Sequence, residues 1–157
     1  YNKSIIIYLR QHQQLINKND LIEIINFFKS NNYKIYIKEH PKSKFNFRDY
    51  YNINEFEIIN KHELTYDTLK QISPKYVVGY FSTALCEALN MGILPISLGD
   101  KDEIKTKPNL KNIKVIEWTI YPFIKKTISW KREILLLKKI IKNDNDYSQH
   151  LQKLINE

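Results

Sequence analysis

Residues 76–98 read Tyr-Val-Val-Gly-Tyr-Phe-Ser-Thr-Ala-Leu-Cys-Glu-Ala-Leu-Asn-Met-Gly-Ile-Leu-Pro-Ile-Ser-Leu. The apolar run Tyr76-Val77-Val78 predicts a buried strand. Gly79 lets the backbone leave that strand sharply and lets a ligand approach bare main chain. Ser82 and Thr83 are natural N-cap residues. Their hydroxyls, with the unpaired amides behind them, are expected to face beyond the strand's carboxyl end, where a helix N-terminus favours an anion. Ala84 to Met91 is the expected helix, stopped at Gly92, and Ile93 to Leu98 the next buried strand. A strand-turn-helix-strand unit this tight belongs in a parallel sheet.

Upstream, Ser4 to Leu9 is a continuous apolar run of the kind buried on both faces of such a sheet. Arg10 to Asn19 reads as a loop, and Asp20 as the cap of a helix over Leu21 to Ser30, in which Leu21, Ile24, Ile25 and Phe28 recur at helical spacing. Asn31-Asn32 ends it. Lys34 to Lys38 is a second strand running into Glu39-His40-Pro41, and residues 42–54 have no clear period and read as a loop. Phe56 to Asn60 predicts a third strand. A helix begun near Glu63 or Thr65 then runs to Ile72, with Leu64, Leu69 and Ile72 turned inward.

Downstream, Asp100 to Lys111 is a charged loop and Ile113 to Trp118 a last short strand, while Pro122 bars a regular helix interior between Thr119 and Thr127. From Ser129 onward the pattern is helical, with Ile134, Leu135, Leu137 and Ile141 on one face, followed by a short helix from Asp146 to Glu157. This alternation predicts an α/β fold: a Rossmann-like parallel sheet with helices on both faces, plus C-terminal helices. Ligands of such a sheet lie beyond the carboxyl ends of its strands.

A chain of 157 residues is one domain by length, and 43% hydrophobic with 27% charged content is ordinary for a globular protein. The net charge of +8 admits nucleic acid, an anionic membrane surface or a phosphorylated ligand. Only Arg10, Arg48 and Arg132 of the 25 basic residues are arginines, and a Lys-, Asn- and Ile-rich composition more often reflects codon bias than a binding surface. The single cysteine, Cys86, excludes an intramolecular disulfide and fits a reducing compartment; its place among Leu85, Ala88 and Leu89 reads as a small buried hydrophobe. No apolar run approaches the roughly 20 residues of a membrane span. The chain opens almost directly on a strand, without a secretory leader, as a piece of a longer polypeptide would.

The residues able to carry chemistry gather on one expected rim. His40 lies just past the second strand, Pro41 fixes the turn after it, and Lys38, two residues earlier, points to the same side as His40. Alone, His40 reads by default as a structural histidine, and Ser82-Thr83 as a helix cap. Together with Gly79 they could converge on one anion. Glu63, just after the third strand, could hold a ribose hydroxyl or cap a helix, and Glu87, one turn into its helix, has a similar role open to it. The phosphate-binding G-x-x-x-x-G-K-[ST] loop, the dinucleotide G-x-G-x-x-G and the G-x-S-x-G nucleophile elbow are all absent. The aspartate pairs Asp100/Asp102 and Asp144/Asp146 match only the bare spacing of a metal loop, and the four histidines are scattered, so no metal site is expected. A phosphorelay receiver needs an acidic cluster after strand one, where this chain has Arg10-Gln-His-Gln.

Taken in order, Lys38-Glu-His40-Pro41, Glu63, Gly79-Tyr-Phe-Ser82-Thr83, Glu87-Ala-Leu and Gly92-Ile-Leu-Pro-Ile resemble the nucleotide-binding C-terminal half of a GT-B glycosyltransferase. More narrowly, they look like the bacterial sialyltransferases and polysialyltransferases, which share an HP motif and a Ser-Ser or Ser-Thr motif. Over residues 1–120 the resemblance implies an inverting transfer of sialic acid from CMP-sialic acid to a bacterial surface glycan, in capsule or lipooligosaccharide. His40 would donate to the phosphate that leaves, Lys38 would add positive potential, and Ser82 and Thr83 would bind the same phosphate. Pro41, Gly79 and Glu87 complete the nucleotide set, with Glu63 on the ribose or cytosine. No cofactor or metal is implied; the CMP-sugar is a substrate. The second hydroxyl residue is Thr where Ser is commoner. The general base belongs to an N-terminal Rossmann-like half that this chain lacks. Residues 1–128 are then the nucleotide-sugar domain, and 129–157 are helices that pack on it or toward the missing half. The implied partners are the donor, a glycan acceptor and that half, without nucleic acid, in the cytoplasm with peripheral contact to an anionic inner membrane face. A transferase using CMP-Kdo, a UDP- or GDP-sugar or a CDP-polyol, and a non-catalytic basic binding module, are the alternatives.

Overall fold

The computed structural model describes residues 3–9, 18–43, 56–79, 83–98, 127–142, 149–153 and 156. Six parallel strands form its centre. β1 (Ser4–Tyr8) pairs with β2 (Lys34–Lys38) and with β4 (Tyr76–Gly79); β3 (Glu57–Ile59) lies outside β2, and β5 (Leu94–Ser97) and β6 (Ile128–Ser129) extend the other side. The strand order is β3-β2-β1-β4-β5-β6. The chain therefore builds outward from β1 in one direction, then jumps back to β4 and builds the other way, as in a doubly wound Rossmann-like sheet.

The helices divide between the two faces according to the two-residue alternation of the strands. Ile5, Ile7, Ile35, Ile37, Tyr76, Val78, Leu94 and Ile96 pack against Leu21, Ile24 and Phe28 of α1 (Lys18–Ser30) and Leu137, Ile140 and Ile141 of α4 (Ile134–Lys142). Ile6, Tyr8 and Val77 pack on the other face against Leu69 of α2 (Thr65–Ile72) and Ala84, Leu85 and Ala88 of α3 (Thr83–Asn90). Burial on both faces explains why β1 and β4 are apolar without alternation.

Two helices end by the same device. Asn32 (φ 63°) and Gly92 (φ 78°) take left-handed backbone, and the amides that follow, on Tyr33 and Ile93, donate to Phe28 O and Ala88 O at 3.0 and 2.9 Å.

Several expectations are corrected. Asp20 is a residue of α1, not its cap, because the helix already includes Lys18. Leu64 is 69% exposed: it sits in the N-cap position with extended backbone (φ −67°, ψ 140°), outside the helical phase, and the inward place goes to Thr68, whose Oγ1 donates to Leu64 O at 3.1 Å. Ser129 is a strand residue and the helix starts five residues later. Glu133 closes the turn by accepting from Ser129 N–H at 2.9 Å and donating its own N–H to Ser129 O at 2.9 Å. Leu135 is 83% exposed, and Ile140 takes its place on the inner face of α4. The strand expected over Ile113–Trp118 lies outside the described residues.

Candidate functional site

The register places Ile59, Lys38, Tyr8, Gly79, Ser97 and Ser129 side by side along the carboxyl rim of the sheet. The direction of building reverses between β1 and β4. Tyr8 and Gly79, paired across that boundary, mark the crevice in which open α/β sheets bind ligands.

Lys38 is 4% exposed and its Nζ stands 5.7 Å from the centroid of the Tyr8 ring. The alternation of β1 and β2 sends both side chains to the face covered by α2 and α3. Burial holds the Lys38 ammonium below its ordinary pKa, opposed by the carboxylates of Glu63 and Glu87. Burial also pushes the Tyr8 phenol well above its ordinary value, reinforced by Glu87 and Glu63, so it is a neutral hydroxyl throughout the physiological range. The Thr65 side chain opposes that shift without meeting hydrogen-bond geometry, and Tyr8 Oη has no partner among the described residues. The charges of Glu63 and Glu87 thus reach both Lys38 and Tyr8, although the four residues come from three strand ends and a helix.

Glu63 is half-buried at the end of a turn in which its N–H donates to Asn60 O at 3.0 Å and His62 N–H donates to Asn60 Oδ1 at 3.0 Å. It also lines a groove of about 390 Å³ with Tyr36, Ile58, Ile59 and Ile72, between α2 and the β3 edge. His40 sits in the turn after β2, where Ser43 N–H donates to His40 O at 2.9 Å and Pro41 supplies the fixed φ of the turn. Lys42 N–H donates to His40 Nδ1 at 3.1 Å, so the neutral ring carries its proton on Nε2, which is then the ring's donor. Lys61 Nζ donates to Ser43 O at 3.4 Å, tying the His40 turn to the turn that ends in Glu63.

Thr83 is the exposed first residue of α3, one place inside the helix from the expected cap, and Ser82 lies outside the described residues. Glu87 is exposed on the second turn of α3. Burial and Glu87 push the Cys86 thiol up to about 11, so it is protonated and unreactive near neutral pH, as its packing against the α1 face of the core would require. Among the described residues no cluster of His, Cys, Asp and Glu could hold a metal, and no helix is long and apolar enough to cross a membrane. The sequence reading named Lys38, Glu63, Glu87 and Gly79 as candidates and did not name Tyr8, which the register sets beside Lys38. A tyrosine closing an otherwise aliphatic buried strand, two residues from Ile6 on the same face, was the available signal.

A family model described as Alpha-2,8-polysialyltransferase (POLYST) matches residues 1–91, more than half of the chain. The chain belongs to the alpha-2,8-polysialyltransferase family. The match spans β1 through α3 and so takes in every residue of the rim cluster. No curated protein sequence matches. Among solved structures this polysialyltransferase-family chain is similar to a UDP-GlcNAc 2-epimerase of Methanocaldococcus jannaschii in complex with UDP-GlcNAc and UDP, at 16% identity and a TM-score of 0.49. The likeness covers 73% of this chain and 38% of the epimerase chain.

Proposed function

We propose that this chain is the nucleotide-sugar-binding part of a sialyltransferase that moves sialic acid, with inversion, from CMP-sialic acid to a bacterial surface glycan of the capsule or lipooligosaccharide class. Membership of the polysialyltransferase family supports the reaction class. The observation that carries the site is Lys38, a lysine buried at the carboxyl rim beside the β1/β4 crevice, its charge flanked by Glu63 and Glu87. A site of this mixed charge suits a nucleotide, whose phosphate calls for the cation and whose ribose hydroxyls call for carboxylate acceptors.

In the reaction, an acceptor hydroxyl attacks the anomeric carbon of sialic acid while the bond from that carbon to the phosphate oxygen breaks. CMP leaves with the bonding pair, and the acceptor proton goes to a general base on an N-terminal half outside this chain. His40 is the catalytic residue of the scheme, its Nε2–H donating to the departing phosphate. Lys38, Gly79 and the Ser82-Thr83 helix start add positive potential and close approach, Pro41 sets the histidine's turn, and Glu63 and Glu87 take the nucleoside side. Preorganised donors facing a departing phosphate stabilise its charge without a metal or other cofactor. The protein would work in the cytoplasm, its charge of +8 holding it near an anionic membrane face.

Calorimetric titration with CMP, CDP, UDP and GDP tests the donor. CMP should bind tightest, and a preference for UDP or GDP would transfer the assignment to another class of nucleotide-sugar enzyme. His40→Ala should weaken CMP by roughly ten-fold or more, the worth of a hydrogen bond to a charged group. Unchanged affinity in that variant would return His40 to a purely structural role in its turn.

A further inference from the structure

We propose, on the nucleotide-sugar reading above, that Tyr8 is a ligand-binding residue: its hydroxyl and the Lys38 ammonium form a two-donor seat for an anionic oxygen in the crevice between β1 and β4. Tyr8 is 6% exposed and its Oη has no partner among the described residues. Lys38 is 4% exposed, and its described surroundings are the Tyr8 ring and the charges of Glu63 and Glu87 rather than a hydrogen-bond acceptor. A buried donor left unpaired is costly, and the Tyr8 hydroxyl, with the Lys38 ammonium 5.7 Å from its ring, is retained where something from outside supplies the acceptor.

The kind of acceptor follows from the donors. One carries a full positive charge and the other a neutral O–H, so together they suit an anionic oxygen rather than a ribose hydroxyl, which the neighbouring carboxylates serve better. Their place strengthens the case. Tyr8 ends β1 at the point where the sheet reverses its direction of building, and Gly79 opposite offers backbone without a side chain. The groups that act on the hydroxyl from the rim, Glu63, Thr65 and Glu87, are half-buried or exposed, so side-chain rotation is enough to open it to the crevice. A CMP-linked sialic acid offers such oxygens on two groups, the phosphoryl group and the sugar carboxylate.

Titration of the wild-type chain and of Tyr8→Phe with CMP, cytidine and free N-acetylneuraminate, with melting curves of both proteins, tests this. Tyr8→Phe should weaken binding of the anionic ligand by about ten-fold and leave cytidine unchanged, with an equal or higher melting temperature because an orphan hydroxyl has gone. Loss for CMP assigns the seat to the phosphoryl group, and loss for N-acetylneuraminate assigns it to the carboxylate. If the wild type binds CMP and Tyr8→Phe binds both anions equally well, the seat is refuted while the nucleotide reading stands. A lowered melting temperature with parallel losses for CMP and cytidine would make Tyr8 a structural residue and refute it too. A wild-type chain that binds neither anion overturns the nucleotide reading, and the seat with it.

Discussion

Lys38 shows how burial can set one charged residue against the fold. Its burial favours the neutral amine, so at neutral pH the folded chain carries a charge the unfolded chain would hold more easily. Because its pKa is lowered on folding, the penalty is present at low and neutral pH and is relieved as pH rises from the folded pKa toward the unfolded value. Lys38→Met should therefore leave stability equal or raise it by about 1 kcal/mol at pH 7, an advantage that shrinks as pH rises toward the ordinary lysine value, as read by denaturant titration. The same substitution should weaken CMP by ten-fold or more, on the order expected for a charged hydrogen bond. Wild-type affinity should also fall as pH climbs through a value below the ordinary lysine range, with Glu63 and Glu87 the carboxylates that resist that loss of charge and Tyr8 still a neutral phenol. A flat profile to pH 10 would remove Lys38 from the site. Lys38 was legible in the sequence because a lysine two residues before His-Pro at a strand end stands out. Tyr8 was not, since a tyrosine in an apolar strand reads as core until the register shows it beside that lysine.

At the level of elements, periodicity recovered each strand and helix whose apolar residues repeat over a full turn or a full strand, and failed where the element is too short to repeat. β6 has two residues, Ile128 and Ser129, and the helical pattern that follows masked it. What holds this edge is Trp130, 1% exposed, donating its N–H to Ser97 O at 2.9 Å and lying 5.8 Å from the Phe27 ring. Trp130→Ala should cost about 3–4 kcal/mol by chemical denaturation. Trp130→Phe should cost under about half of that, since it also removes an indole Nε1–H that has no partner among the described residues. Helix ends give a separate test. A Cβ at Gly92 would meet nothing within 4 Å, so Gly92→Ala should cost only the strain of its left-handed backbone, about 1 kcal/mol. A loss several times larger would mean that the turn packs more closely than its geometry indicates. Leu64 and Leu135 were misjudged for a related reason: spacing cannot say where a helix begins, and one position of phase moves a leucine from core to solvent.

For the whole molecule, the order β3-β2-β1-β4-β5-β6 brings residues distant in sequence to one rim, and the alternation of strands and helices was enough to foresee a doubly wound sheet. It was not enough to foresee which rim residues touch. That depends on register, and the register pairs Lys38 with Tyr8 and Tyr8 with Gly79. The proposed function limits what the chain would do alone. On that reading its candidate groups are donors and cations for a departing phosphate, together with carboxylates assigned to the nucleoside, and none is assigned to the acceptor hydroxyl. General-base assistance typically contributes on the order of 10²–10⁴ to a rate, so if the base lies on another half, as proposed, this chain should bind the donor yet transfer almost nothing. Incubating the chain with CMP-sialic acid and an oligosialic acceptor should show CMP-competitive donor binding with elongation at least a hundred-fold below that of a chain carrying both halves. Elongation at comparable rate would place the base within these 157 residues and make Glu63 and Glu87, the carboxylates whose charges reach Lys38 and Tyr8, the first to replace by glutamine.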